Sequence, residues 1–412
     1  MAAAVHRLPN APGLPDPTPT LGLADFARMV FAERDLSPVW NQLMARATGG
    51  DVGAMLDLST ILQLVGQREQ GLALQADALK VSRHFRKALG TGEGPTILAL
   101  VAAGDLMANT PLEFMLQGFN GRLDTLFLDP CHPFPDEVPG HDLAVMAVGE
   151  SDDNEPLLAA LAGVLAGWRQ PLLNGAPGQV LSLGRDRLPL RLAGVAGVDA
   201  PLTRRVRRGE LMVLAEDRAL LQALLPGRDF PLIVRPVGSH AGAGLAKIDT
   251  PAAMALYLAR QPGEVFYLSP FVDYSGPDGL FRKLRVAVIE GRPFVAHMAI
   301  SEHWMVHYLN AGMAESAAKR AEERAMMESF DVYFALRHAD AFAQLAQKIG
   351  LDYFAVDCAE ARDGRLLIFE ADTAMIIHDM DSRDVYPYKA PAMRELFRAF
   401  QGLVNRRVAQ AL

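Results

Sequence analysis

Residues 351–372, LDYFAVDCAEARDGRLLIFEAD, constrain the fold more than any other stretch of the chain. Two short apolar runs, 353–356 and 366–369, read as buried strands, and Asp363-Gly364 between them is a two-residue hairpin turn signal. What matters is how each strand ends. Asp357 follows the first run, and Glu370 and Asp372 close the second. Strand side chains alternate faces, so Glu370 and Asp372 point the same way, and pairing across the turn brings Asp357 opposite them. Three convergent carboxylates repel one another unless a cation or protons intervene, and oxygen-only ligands suit Mg²⁺. The same residues also fit a solvated hairpin end with acidic tips.

At 412 residues the chain suggests two to four domains. A net charge of −8 gives no basic footprint, so nucleic-acid binding is not suggested. The two cysteines, Cys131 and Cys358, cannot make a disulfide framework or a zinc site by themselves and fit a reducing compartment. No apolar run approaches a membrane span. Residues 1–20 read as a Pro-rich disordered tail rather than a secretory signal, and a cytoplasmic protein is expected.

Residues 21–92 carry a helical pattern, with one helix over 51–65 ended by Gly66 and a second over 69–87. This helical pair has the length of a tetratricopeptide unit and resembles that motif weakly. It reads as a packed cap or as a docking surface for a protein or peptide partner. Residues 93–183 alternate apolar runs (96–104, 123–129, 141–149) with helices (110–118, 155–168), the pattern of a parallel α/β domain. Polar loops follow these strands, at the edge where open α/β sheets bind ligands. Cys131-His132 in one of them lacks an orienting third group and reads as a loop cysteine beside a polar turn.

A helix opens at residues 184–191, a strand is expected over 211–215, and the strand 230–237 runs into Gly238-Ser239-His240-Ala241-Gly242-Ala243-Gly244. Such a loop lets backbone N–H groups wrap a polyanion, although a plain hairpin loop also fits. It is neither a Walker A loop nor a dinucleotide fingerprint. Arg235 sets a fixed positive charge on the strand end ahead of it. Residues 264–272 contain Pro270, so this strand is an edge or a segment whose backbone faces a ligand. That suits an adenine hinge running past Leu268 and Phe271, with Asp273 in reach of a ribose. Lys283 and Arg285 alternate onto one face of a hairpin turning at Glu290-Gly291, where they can neutralise phosphates. The segment 301–312 reads as a pocket wall or lid. Beyond Asp372, His378 is a candidate base or carboxylate anchor, or a solvated histidine.

Taken in order, these pieces resemble the ATP-grasp superfamily of carboxylate–amine ligases, which includes D-alanine–D-alanine ligases, glutathione synthetases and ribosomal-protein glutamate ligases. The resemblance covers roughly residues 96–393. It implies an α/β chain with α+β character in an ATP-grasp nucleotide and metal domain at 184–412, behind a parallel α/β domain at 93–183 and the helical segment 21–92. It further implies ATP and Mg²⁺ as cofactors, with the family's metal ligands on Asp357, Glu370 and Asp372. The nucleotide-contacting lysines would fall on Arg191 and Arg235, and the triphosphate-contacting arginine on Arg285, with Lys283 and His378 beside the chemistry. The implied reaction is ADP-forming ligation of a small-molecule or peptide carboxylate to an amine through an acylphosphate, and a homodimer is compatible with it. Four positions depart from the family pattern: Asp372 replaces an asparagine, Arg191 and Arg235 replace lysines, and Pro270 stands at the hinge glutamate. A small-molecule kinase on the same fold and a non-catalytic ATP-sensing scaffold are the alternatives.

Overall fold

In the computed structural model the described residues are 16–131, 134, 138–214, 217–239 and 242–410. Most of the expected tail, together with His132 and His240, lies outside them. The rest forms a mixed α/β protein with three sheets.

The first sheet comprises β1 (Thr18–Pro19), β2 (His84–Leu89), β3 (Thr96–Ala102), β4 (Gly121–Leu128), β5 (Leu143–Met146) and β6 (Leu172–Leu173), in the order β1-β2-β4-β3-β5-β6. β4, β3, β5 and β6 run parallel, and β3 is buried along its whole length, which is why its sequence is a continuous apolar run. β2 corrects the helix expected over 69–87. That helix stops at Val81, and the next residues pair antiparallel with β4. Phe85 and Leu89 face the core while His84 and Arg86 reach Asp124 at 2.9 and 2.6 Å, a period of two that suits only a strand. Pro19, expected in the tail, instead pairs with Arg86.

β7 (Val198–Asp199) is lent to the third sheet. The second sheet is antiparallel, ordered β10-β9-β11-β8, from β8 (Arg204–Arg207), β9 (Leu232–Pro236), β10 (Ala246–Ile248) and β11 (Val265–Pro270). Where a strand was expected at 211–215, the described residues form the helix Arg208–Leu214. Glu210 accepts the Arg207 N–H at 2.7 Å across its first turn, and Leu211 and Leu214 reach the core at helical spacing. β11 is no edge: it pairs with β9 on one side and β8 on the other. Pro270 is tolerated because its pairing is with β9 alone, β8 having ended opposite Leu268.

The third sheet, ordered β13-β12-β14-β15-β7, adds β12 (Phe281–Ile289), β13 (Arg292–Ser301), β14 (Tyr353–Glu360) and β15 (Leu366–Asp372). The β14–β15 turn is one residue longer than a two-residue loop: the Ala361 N–H donates to the Arg365 carbonyl at 2.8 Å, and Gly364 takes the left-handed conformation at φ 81°. The helix Lys389–Ala409 lays Met393, Leu396, Phe397 and Phe400 into a core shared by one face of this sheet and β3 and β5 of the first. The helix Ala339–Ile349 covers the opposite face through Phe342 and Leu345.

At the N-terminus, Val52–Leu64 and Arg68–Val81 form one helical pair, with Gly66 between them at φ 83°. Two carboxylates hold the start of the helix Leu23–Phe31, whose own cap residue is Gly22. Asp57, 1% exposed, accepts the Leu21 and Gly22 N–H groups at 2.9 and 3.1 Å, and Glu113 accepts those of Leu23 and Ala24 at 2.9 Å. Burial pushes the Asp57 carboxyl up to about 6, against these N–H bonds. The folded chain therefore holds this proton to higher pH than the unfolded chain. Its contribution is present below about pH 4 and lost as the pH rises through about 6. Urea unfolding across that window is expected to show the wild type losing about 2 kcal/mol more than Asp57→Asn. Parallel curves for the two proteins would refute the assignment.

Candidate active site

The third sheet carries a row of polar residues in direct cross-strand register. His297 on β13 faces Arg285 on β12, Arg285 faces Asp357 on β14, and Asp357 faces Glu370 on β15. Lys283 and Asp372 lie two residues from Arg285 and Glu370 and so share that face. A bulge adjoins the row in each of the β12–β13 and β14–β15 pairs, where strands re-aim side chains.

Asp357 is 1% exposed. Arg285 reaches it through Nε at 2.8 Å and Nη2 at 3.1 Å, and Lys283 through Nζ at 2.9 Å. Burial alone would raise this carboxyl, but the two cations overcome it and hold it well below the usual carboxylate range. Arg285 also donates to the Ile376 carbonyl at 3.0 Å. Glu370 is ion-paired with Arg185. Asp372 accepts the Ala374 N–H at 2.9 Å, yet burial raises its carboxyl against that bond and the charges of Arg185 and Arg285.

A second row crosses the four-stranded sheet, with Arg235 on β9 opposite Tyr267 on β11 and Tyr267 opposite Arg205 on β8. Arg205 binds Asp152 at 2.8 and 2.9 Å and the Tyr267 hydroxyl at 3.0 Å. Arg235, 9% exposed, donates to the Ser239 side chain at 3.2 Å and to its carbonyl. Burial, with Arg185 nearby, pushes its guanidinium down to about 9. Arg185 is thus the electrostatic neighbour of both rows, with the charges of Asp357, Asp372 and Glu150 and the Tyr267 hydroxyl all acting on it. Glu150, in the loop after β5, completes the setting. Burial, then the charge of Asp372, pushes it up to about 7.

The glycine loop joins β9 to β10. Gly238, Gly242 and Gly244 all have φ between 66° and 79°, and a Cβ on Gly244 would sit 2.8 Å from the Pro236 ring. Gly242 approaches the Met305 sulfur of the 301–312 segment. Ser239 caps the turn by donating to the Pro236 carbonyl at 2.8 Å. Phe271 packs edge-on against Trp304 at 5.9 Å, with Lys247 over its ring at 4.8 Å.

Arg191 and His378 lie away from the rows, and Leu268 and Asp273 have partners of their own. Arg191 donates to the Lys348 carbonyl at 2.6 Å and the Ser182 hydroxyl at 2.9 Å, which ties it to the carbonyl end of the helix Ala339–Ile349 and away from both rows. The Leu268 side chain is wholly buried in the core of the second sheet. Asp273 is engaged by Ser275 at 2.8 Å and by Arg362 at 2.8 Å. His378 packs against Phe31 and Phe114, and its Nδ1 accepts the Met380 N–H at 3.2 Å, so it is not part of the row. Arg185, Glu150, Tyr267 and Arg205 were not anticipated. Arg185 sits in the Gly184 turn, six residues before the arginine that the pattern favoured, and Tyr267 alternates with the inward Phe266 and Leu268.

The carboxylates do not fit a resident Mg²⁺. Both oxygens of Asp357 are taken by side-chain cations, Glu370 is paired with a guanidinium, and among the described residues no group of three or more His, Cys, Asp or Glu is arranged to hold a metal ion.

No protein-family model matches the chain, and no curated protein matches it. Among solved structures it is similar to VanG D-Ala:D-Ser ligase from Enterococcus faecalis, with 14% identity over 76% of this chain and 99% of that one, at a TM-score of 0.43. It is also similar to a RimK domain ATP-grasp protein from Sphaerobacter thermophilus, with 16% identity over 72% of this chain and 97% of that one, at a TM-score of 0.39. No helix among the described residues is long and apolar enough to cross a membrane.

The position of Arg191 is directly testable. Arg191→Met is expected to lower the unfolding free energy by about 1–3 kcal/mol through its lost carbonyl contacts. The same variant should bind ATP as the wild type does by calorimetry, and a large loss of nucleotide affinity would return Arg191 to the site.

Proposed function

We propose that ATP binds at the polar rows of the second and third sheets, and that the protein is an ATP-dependent carboxylate–amine ligase. The observation that carries this reading is the pair of polar rows with Arg185 between them, together with a glycine loop on the strand that bears Arg235. Arg235, Arg185, Lys283 and Arg285 give a triphosphate fixed positive charge, and the loop offers backbone N–H groups. In the proposed reaction a substrate carboxylate oxygen attacks the γ-phosphorus and ADP leaves. An amine then attacks the acyl carbon, inorganic phosphate leaves, and the amine proton passes to the departing phosphate or to solvent. Arg285 and Lys283 would balance charge on the transferring group, and the 301–312 segment beside Gly242 would keep water from the mixed anhydride.

A second reading, a nucleotide-sensing scaffold without turnover, is favoured by one observation: Asp357 and Glu370 are already neutralised by side chains. Incubation with ATP and a panel of amino acids and dipeptides separates the two. Equimolar ADP and phosphate with an amide product supports ligation, and a phosphorylated product would assign a kinase instead. ATP binding without turnover leaves the sensor.

Arg235→Met replaces a buried cation by an apolar chain of similar length, so its fold should persist. Nucleotide affinity or ADP release is expected to fall roughly 10²-fold. Wild-type values in that variant would remove Arg235, and the row with it, from the site.

A further inference from the structure

Resting on the reading of the two rows as an ATP site, we propose that the site takes its nucleoside triphosphate without a divalent cation, with Arg185, Arg235, Lys283 and Arg285 supplying the charge a metal ion would carry.

Three independent features lead there. The first is the state of the carboxylates. Asp357 accepts three charge-assisted hydrogen bonds, two from Arg285 and one from Lys283, at 1% exposure. A hydrated Mg²⁺ demands octahedral room and keeps several waters, and it could reach this oxygen pair only by separating a buried ion cluster. Glu370 offers no better donor while Arg185 holds it. That leaves Asp372, already accepting the Ala374 N–H, with the buried Glu150 as its carboxylate neighbour.

The second feature is Arg235. It is nine-tenths buried, and among the described residues no carboxylate pairs with it; its hydrogen bonds go to Ser239 alone. A buried guanidinium without a counter-ion is costly unless an anion arrives. Burial and the like charge of Arg185 both act against it. An anion seated between these two guanidiniums relieves both penalties at once.

The third feature is the charge count. The inner groups comprise four cations, Arg185, Arg235, Lys283 and Arg285, and four carboxylates, Asp357, Glu370, Asp372 and Glu150. The four cations are fixed in charge and already in place, so a polyanion meets charge-assisted donors before any ion accompanies it. In a site built around a metal the carboxylates would face the ligand with their charge unspent. Here the charges of Asp357 and Glu370 are spent on Arg285, Lys283 and Arg185.

Calorimetry on the full chain with a non-hydrolysable ATP analogue, in EDTA and again in excess Mg²⁺, tests the idea. The dissociation constants are expected to agree within about threefold. Tightening of about tenfold or more by Mg²⁺ would overturn the proposal while leaving the nucleotide site standing, whereas no binding in either buffer would remove both. The variant Arg185→Met should bind at least about tenfold more weakly in EDTA. It should regain affinity with Mg²⁺, because Glu370 is then free, and Arg185→Lys should restore most of the metal-free binding. Wild-type affinity of Arg185→Met in EDTA counts against the proposal. Mn²⁺ added to the nucleotide-free protein gives a separate readout: its paramagnetic resonance signal should remain that of the aqueous ion, and a bound-ion signal lost in Glu370→Gln would contradict the assignment.

Discussion

A carboxylate at 1% exposure keeps its charge only if cations are built in beside it, and the third sheet is organised to do that for Asp357. The neighbouring strand β12 delivers both partners, Arg285 directly opposite and Lys283 two residues along. This pins the register. Slipping β14 by one residue would turn Asp357 toward Phe342 and Leu345 and bring apolar Val356 or Cys358 against the guanidinium. Removing one partner of a buried pair typically costs about 3–5 kcal/mol, so the row is a structural commitment before it is a chemical one. The bulges beside it let strands that otherwise alternate regularly keep four polar side chains in line.

The row continues into the loops that flank it. His297 rests against Tyr308 at 4.6 Å, and Tyr308 donates to Glu323 at 3.0 Å. Glu323 is completely buried and also accepts the Tyr388 hydroxyl at 2.7 Å and the Met298 N–H at 3.0 Å. Lys389, 4% exposed, binds Asp381 at 2.7 Å and lies over the rings of Tyr308 and Tyr386. One cluster thus fastens the 301–312 segment, the chain after β15 and the start of the helix Lys389–Ala409. Burial holds His297 neutral, well below its usual range, so a charged histidine does not add to Arg285 and Lys283.

The hairpin at residues 353–372 was legible because two signals agreed: apolar runs bounded by Asp-Gly, and acids at a spacing that shares a face. The parallel order of the first sheet was legible for a similar reason, since β3 and β5 are apolar throughout. β2 and β8 were not, because HFRKAL and RRVR carry few apolar residues and find their polar partners on other segments. In the site, Arg235, Lys283 and Arg285 could be found from position on a strand. Arg185 could not be told from Arg187 or Arg191, because only the turn at Gly184 decides which arginine points inward. Three acids on one face suggested a metal, and the cations that occupy Asp357 and Glu370 come from a strand and a turn that the hairpin alone does not reveal.

The N-terminal helices bear on the same row through a short path. Phe31 lies edge-on to His378 at 5.1 Å, Arg28 pairs with Asp379 at 3.0 Å, and Gln117 donates to Asp379 at 2.9 Å. Two residues before His378, the Ile376 carbonyl accepts from Arg285. The helix Leu23–Phe31 is itself fixed at its start by Asp57 and Glu113, so it presents a rigid face to this loop. Arg28 and Phe31 of this helix meet the loop after β15, while Phe31 stays 46% exposed. The same packing sets this helix beside the loop whose Ile376 carbonyl accepts from Arg285.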